Sequence, residues 1–290
     1  MLQCVSTSLS NAMAKLFANF AIDYSQLDIS GLNSATDSGF DDNLNVEVHG
    51  VTYQDVLWFE EGLDDIAFGG TGFTMNSDGA VTGGTVKGVL THAWNGSAWV
   101  EDWRIEGLDV SAVSLYRAAL TGGTTDDMSI VASAMSGADT FLLSRFADKM
   151  RGFGGNDKLS GNAGNDMLQG DGGNDILTGG AGADTLSGNS GADVFDYNLV
   201  TESRGRAVDL IIDFVRGQDK IDLSGIDANV AAVGNQAFNG LIKAGVEFTR
   251  AGQLRFVDGV LMGNTDTDAA AEFAIVLNGV TALNVADFVL

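Results

Sequence analysis

The sequence predicts a mainly β protein in three parts: a β-rich (α+β) domain over residues 1–133, a parallel β-roll of nonapeptide repeats over 134–197, and a β domain continuing the roll over 198–290. Three observations carry this. Five nine-residue Gly/Asp units follow one another without a gap from Gly152. Apolar residues alternate on either side of them, as in strands with one buried face. Glycine numbers 39 and proline zero, so the turns are written in Gly, Asn and Asp.

Composition bounds the rest. An apolar content of 45% is enough for a packed core. Asp and Glu number 39 against 15 Lys and Arg, a net charge of −24. So acidic a surface repels nucleic acid and anionic lipid, and it favours a hard cation that prefers oxygen ligands, calcium foremost. No nucleic-acid partner is expected. Cys4 is alone, which removes a disulfide framework. No run of about 18 apolar residues occurs, so no transmembrane segment is expected. Met1 to Ile22 lacks a basic stretch leading into a long apolar run, so no cleavable export signal is expected there.

In the N-terminal region Ala12, Met13, Leu16, Phe17 and Phe20 fall at helical spacing and predict a short amphipathic helix. Asn43 to Tyr53 alternates as a strand through Leu44, Val46 and Val48. Trp94 and Trp99 flank Asn95-Gly96, a hairpin signal. Asp109 is a candidate cap for a helix through Leu120, and Asp126 for one through Met135. Chemistry is sparse here. His49 and His92 are the only histidines, and neither His-Glu-x-x-His nor Gly-x-Ser-x-Gly occurs. Glu60/Glu61 and Asp64/Asp65 are adjacent pairs that a strand sends to opposite faces. Trp58, Trp94, Trp99 and Trp103 read as packing rather than as a sugar platform. No catalytic residue is assigned.

The repeats read GFGGNDKLS, GNAGNDMLQ, GDGGNDILT, GGAGADTLS and GNSGADVFD. Gly stands first and fourth, Asp sixth, and a large apolar residue eighth (Leu159, Leu168, Leu177, Leu186, Phe195). Two weaker units precede in phase, one with Gly137, Asp139 and Phe141, the other with Asp148 and Met150. Six Gly/Asn-rich residues make a turn, because both residue types tolerate positive φ. The last three make a short strand with one side chain inward. Two units complete a coil, so equivalent turns lie 18 residues apart and stack at about 4.8 Å. Sixth-position carboxylates stacked so closely repel unless a cation lies between them. Turn carbonyls add oxygen ligands, a calcium site by ligand type and number. A flexible linker has no reason to place a large apolar residue at every ninth position.

This stretch resembles the repeats-in-toxin (RTX) family of secreted, haemolysin-type bacterial proteins. The resemblance implies calcium held by positions two, four and six of one turn and positions one, three and six of the turn two units later. Carried over, one site uses Phe153, Gly155 and Asp157 with Gly170, Gly172 and Asp175. A second uses Asn162, Gly164 and Asp166 with Gly179, Ala181 and Asp184. A third uses Asp171, Gly173 and Asp175 with Gly188, Ser190 and Asp193. The pairs Asp139/Asp157 and Asp148/Asp166 are weaker, because the early turns lack most glycines.

Beyond Phe195, alternation predicts strands at Val208–Phe214 and Ile221–Leu223 with a turn at Gly217-Gln218, then strands around Leu254/Phe256, Val260/Leu261 and Phe273–Leu277. This part resembles the C-terminal domain of serralysin-type secreted proteases, in which an acidic pair seven residues apart binds another calcium. Glu202 and Asp209 have that spacing. The resemblance implies an extracellular protein exported by type I secretion machinery through an uncleaved C-terminal signal ending Asp287-Phe288-Val289-Leu290. The expected function is a secreted calcium-binding module that folds on meeting calcium after export. It is read as a non-enzymatic binding or surface-associated protein, with a carbohydrate or cell-surface ligand left open. The alternative is a small secreted hydrolase or polysaccharide-active enzyme with its active site in the N-terminal domain.

Overall fold

The computed structural model of the protein describes residues 132–290 throughout and, before them, the strands between residues 15 and 111 together with residues 129–130. The backbone divides into two compact units, residues 1–17 with 26–139 and residues 18–25 with 140–290.

The first unit is antiparallel. After β1 (Lys15–Ala18), strands β2 (Asp37–Asp41), β5 (Asp55–Glu61), β6 (Asp64–Met75), β7 (Val81–Trp94) and β8 (Trp99–Ser111) pair in that order, each antiparallel to its neighbour. A separate hairpin joins β3 (Val46–Val48) to β4 (Val51–Tyr53). Trp94 and Trp99 are backbone partners where β7 and β8 pair antiparallel, in keeping with the hairpin expected from Asn95-Gly96, which lies outside the described residues. Three expectations change. Lys15–Ala18 is a strand rather than part of a helix, so the helical spacing of Leu16 and Phe17 yields to strand pairing. Within Asn43–Tyr53 the described residues form two antiparallel strands, Val46–Val48 and Val51–Tyr53, rather than one. Asp109 lies inside β8 and does not cap a helix. Residues 112–128, including the rest of that expected helix and the start of the one at Asp126, lie outside the described residues; 132–134 are helical.

The second unit is the roll. On one side β9 (Thr140–Leu142), β11 (Lys158–Ser160), β13 (Ile176–Thr178), β15 (Val194–Asp196), β17 (Lys220–Asp222) and β22 (Phe288–Val289) stack in parallel. On the other, β10 (Lys149–Arg151), β12 (Met167–Gln169), β14 (Thr185–Ser187), β16 (Asp209–Ile211) and β21 (Phe273–Leu277) do the same. That second side continues antiparallel through β20 (Val260–Asn264) and β19 (Gln253–Val257), with β18 (Leu241–Ile242) parallel at the edge. The C-terminal region therefore prolongs the roll rather than docking beside it.

The interior is two columns of single side chains. Phe141, Leu159, Leu177, Phe195, Ile221 and Phe288 stand in register on one side, and Met150, Leu168, Leu186, Ile211 and Leu277 on the other; all are buried. Full burial of each is worth about 1.5–3 kcal/mol. Among the described residues no helix is long and apolar enough to cross a membrane.

Candidate metal centre

Each turn carries two residues at positive φ. The second position lies at 69° in Phe153, 65° in Asn162, 70° in Asp171 and 62° in Asn189. The fourth is always glycine, from 124° at Gly155 to 155° at Gly182. A Cβ on Gly173 would lie 1.5 Å from the Gly155 carbonyl oxygen, and one on Gly182 as close to that of Gly164. The fourth-position carbonyls thus point along the stack, into the turn of the next coil. The first-position glycines are needed for space instead. A Cβ on Gly152 would lie 2.3 Å from Asp157 Oδ2 and 2.7 Å from the Gly170 carbonyl oxygen; on Gly161, 2.3 Å from Asp166 Oδ2 and 2.5 Å from the Gly179 carbonyl oxygen. A carboxylate oxygen and a carbonyl of the next coil share the hollow that the missing Cβ leaves.

Backbone hydrogen bonds bring the three predicted ligand sets together. Gly155 N–H donates to the Gly172 carbonyl at 2.7 Å and Gly172 N–H to that of Phe153 at 3.2 Å. Gly164 and Asn162 are joined to Ala181 in the same way, as are Gly173 and Asp171 to Ser190. Each carbonyl keeps a second lone pair. The aspartates form two rows. Oδ1 of Asp166, Asp184 and Asp209 accepts the backbone N–H of Asp148, Asp166 and Asp184 in turn, at 2.8–2.9 Å. On the other side, Oδ1 of Asp175, Asp193 and Asp219 accepts from Asp157, Asp175 and Asp193 at 2.8–3.1 Å.

The other carboxylate oxygen is the informative one. Oδ2 of Asp166, Asp175, Asp184 and Asp193 is buried without a hydrogen-bond donor. A carboxylate so placed is costly while ionised. Burial pushes Asp166 up to about 7, against the pull of the Asp148 N–H and with the push of Asp184 and Asp148. Burial likewise carries Asp175 and Asp184 to about 6 and Asp209 to about 8. The row ends differ. Asp148 Oδ2 receives both the N–H and the hydroxyl of Ser144 at 2.9 Å, and Asp219 Oδ2 receives the Val215 N–H at 2.7 Å.

Asp209 stands in the sixth-position row, 25 residues after Asp184, where the repeats step by 18. Glu202 is buried nearby, raises both Asp184 and Asp209 by repulsion, and accepts the Asn198 N–H through Oε2. Beside them Tyr197 is wholly buried; burial raises its hydroxyl well above the ordinary range, and Asp209 adds to the shift.

Sequence reasoning missed Asp219, because no repeat phase leads to it. It also missed the asparagine ladder. Asn156 and Asn174 accept the N–H of the fifth-position residue one coil on, Asn174 and Ala192, and Asn165 does the same for Ala183. The change from Asn-Asp to Ala-Asp in the last two units is its signature, since those turns have no further repeat turn above them.

Buried carboxylate oxygens unmatched by donors, stacked between coils beside turn carbonyls that each keep a lone pair, suit a hard divalent cation. Fold and donor set define a calcium-binding β-roll repeat module. The family model for the peptidase M10 serralysin C-terminal domain matches residues 6–290, and the chain belongs to that family, whose repeats occur in secreted proteins. The chain is also similar to two solved structures of Azotobacter vinelandii mannuronan C5-epimerase. The AlgE6R3 subunit is 30% identical over 53% of this chain and 79% of its own, with a TM-score of 0.26. The AlgE6R2 subunit is 31% identical over 50% and 88%, with a TM-score of 0.38. A comparison with curated proteins finds no match.

Proposed function

We propose that the chain is a secreted protein whose roll folds when it meets calcium outside the cell, and that it acts as a binding or surface-associated module rather than an enzyme. The observation that carries this reading is the row of buried Oδ2 atoms without donors. Calcium would lie between turns, held by Phe153, Gly155 and Asp157 with Gly170, Gly172 and Asp175; by Asn162, Gly164 and Asp166 with Gly179, Ala181 and Asp184; and by Asp171, Gly173 and Asp175 with Gly188, Ser190 and Asp193. Only the aspartates act through side chains. Glu202 and Asp209 would hold a further ion. Without metal the rows repel, so binding energy becomes folding energy, at the roughly millimolar calcium of extracellular modules. Export as an unfolded chain through a type I channel fits this requirement. Circular dichroism in chelator should show a loss of β signal that added calcium restores; an unchanged spectrum and melting temperature would overturn the reading. Deleting Gln253–Leu290 should keep the chain inside the cell, and normal export of the truncated form would exclude a C-terminal signal.

One observation favours the enzymatic alternative. Strand register sets Asp37, Glu60, Asp65, His92 and Glu101 side by side across β2, β5, β6, β7 and β8. Hydrolysis of a polysaccharide that is lost in His92→Ala and Glu60→Gln would establish this reading; no turnover by the wild-type chain across acidic and neutral polysaccharides would remove it.

A further inference from the structure

A second kind of oxygen-rich site lies outside the roll's turns. The segment joining β20 to β21 reads Asn264-Thr-Asp-Thr-Asp-Ala-Ala-Ala-Glu272. It brings carboxylate oxygens of Asp266, Asp268 and Glu272 within 4.8 Å of one another. Three negative charges so close, with no Lys or Arg among these nine residues, repel one another.

An independent feature at the start of the same loop calls for a positive partner. Asn264 is wholly buried. Its Nδ2 donates to the carbonyls of Asp268 at 2.7 Å and Ala270 at 2.9 Å, so its amide sits within the loop and its orientation is settled by two acceptors. That leaves Oδ1 buried with no donor. A buried amide oxygen without a donor is costly, and here it belongs to the last residue of β20, from which the loop that carries the carboxylates leaves. The remaining loop contacts leave oxygen available. Asp266 and Asp268 each accept one local N–H through Oδ1, from Asp268 and Ala270, and Glu272 accepts the Thr265 N–H through Oε2 at 2.6 Å.

We infer that Asp266, Asp268 and Glu272, with the Asn264 amide oxygen, form a separate binding site for a hard divalent cation of the calcium class. The donor set is all oxygen, mixed between carboxylate and amide, and lies on a short loop able to adjust to a larger ion, the conditions that suit calcium over magnesium. The ion would tie the β20–β21 connection and so brace the antiparallel end of the roll. This inference extends the calcium reading of the repeats but does not use their aspartates.

The test counts calcium ions bound per full-length chain, by equilibrium dialysis with calcium as the only added metal. Glu272→Gln, Asp266→Asn and Asp268→Asn each retain the oxygen that accepts the local N–H while removing charge. Each should bind one ion fewer than wild type, with the calcium-induced β signal of the roll intact. Asp175→Ala should lower the count by its own amount and weaken the β signal, and combination with Glu272→Gln should add the two losses. If the three amide variants keep the wild-type count, the loop site is wrong while the roll reading stands. If Asp175→Ala keeps the count and Glu272→Gln lowers it, the roll reading fails and the loop site stands. Should Asp266→Asn or Asp268→Asn fold poorly, Glu272→Gln, which keeps the Thr265 contact, decides.

Discussion

The middle of the roll and its two ends solve the same problem in different ways. Both bury aspartates, and from Asp166 and Asp175 onward Oδ1 accepts a backbone N–H from the preceding coil. At one end of each row the second oxygen is also satisfied, Asp148 by Ser144 and Asp219 by Val215. In between, the Oδ2 atoms of Asp166, Asp175, Asp184 and Asp193 have no donor, and Asp166 is pushed up to about 7 by burial. A stack of carboxylates needs cations only where the protein supplies no second donor. Asp148 and Asp219 therefore each close one end of a row without metal.

The largest break in this comparison comes from the interior. Leu177 is wholly buried between Leu159 and Phe195. Leu177→Asp places a charge among apolar neighbours and should cost about 4–5 kcal/mol or more; calcium should no longer restore the β signal. A full return of that signal would mean the columns are not the core. Gly173→Ala comes next. Its φ of 136° and the Gly155 carbonyl 1.5 Å from the new Cβ force the backbone to move, at about 3 kcal/mol, whereas Gly245→Ala, with open space around it, should cost about 1 kcal/mol. Equal melting temperatures for the two would refute close stacking of the turns.

Smaller effects separate middle from end directly. Asp175 belongs to two of the proposed sites and Asp193 to one, so Asp175→Ala should lose more bound calcium and more stability than Asp193→Ala. Asp148→Asn keeps an acceptor for Ser144 and should lose no ion, with a stability change within about 1 kcal/mol. Equal ion losses at all three positions would remove the distinction between middle and end. In chelator the order should reverse, Asp175→Ala relieving repulsion that wild type retains.

The mildest effect is on pH. Folding raises Asp175 and Asp184 from 3.8 to about 6, Asp166 to about 7 and Asp209 to about 8. Between 3.8 and those values the folded chain holds more protons than the unfolded chain, so acid favours the fold. The calcium-free roll should therefore gain β signal as pH falls from 8 towards 4. With calcium the trend should invert, because protons compete for the ligands. A calcium-free signal that is flat over this range would argue that the aspartates are solvated.

Much of this was legible because a repeat states its own register. Once Leu159, Leu168 and Leu177 are seen to recur every ninth residue, the inward columns and the aspartate rows follow from a strand period of two and a coil of two units. Outside the repeats that argument lapses. The spacing of Glu202 and Asp209 suggested a pair, but nothing in it says that Asp209 also replaces a sixth-position aspartate 25 residues beyond Asp184. Leu16 and Phe17 sit at helical spacing yet belong to a strand, since four residues of weak pattern take the geometry their neighbours offer.

The sequence alone thus determined the nine-residue coil, the apolar columns, the positive-φ turns and the need for a cation between stacked carboxylates, each a consequence of local periodicity and of what Gly, Asn and Asp permit. Tertiary structure decided which oxygens are left without donors. Ser144 satisfies Asp148, Val215 satisfies Asp219, and the Asn264 amide closes on Asp268 and Ala270 while its own oxygen stays bare. Whether a donor reaches a buried carboxylate depends on how segments far apart in the chain are brought into register, and spacing along the chain carries no record of that.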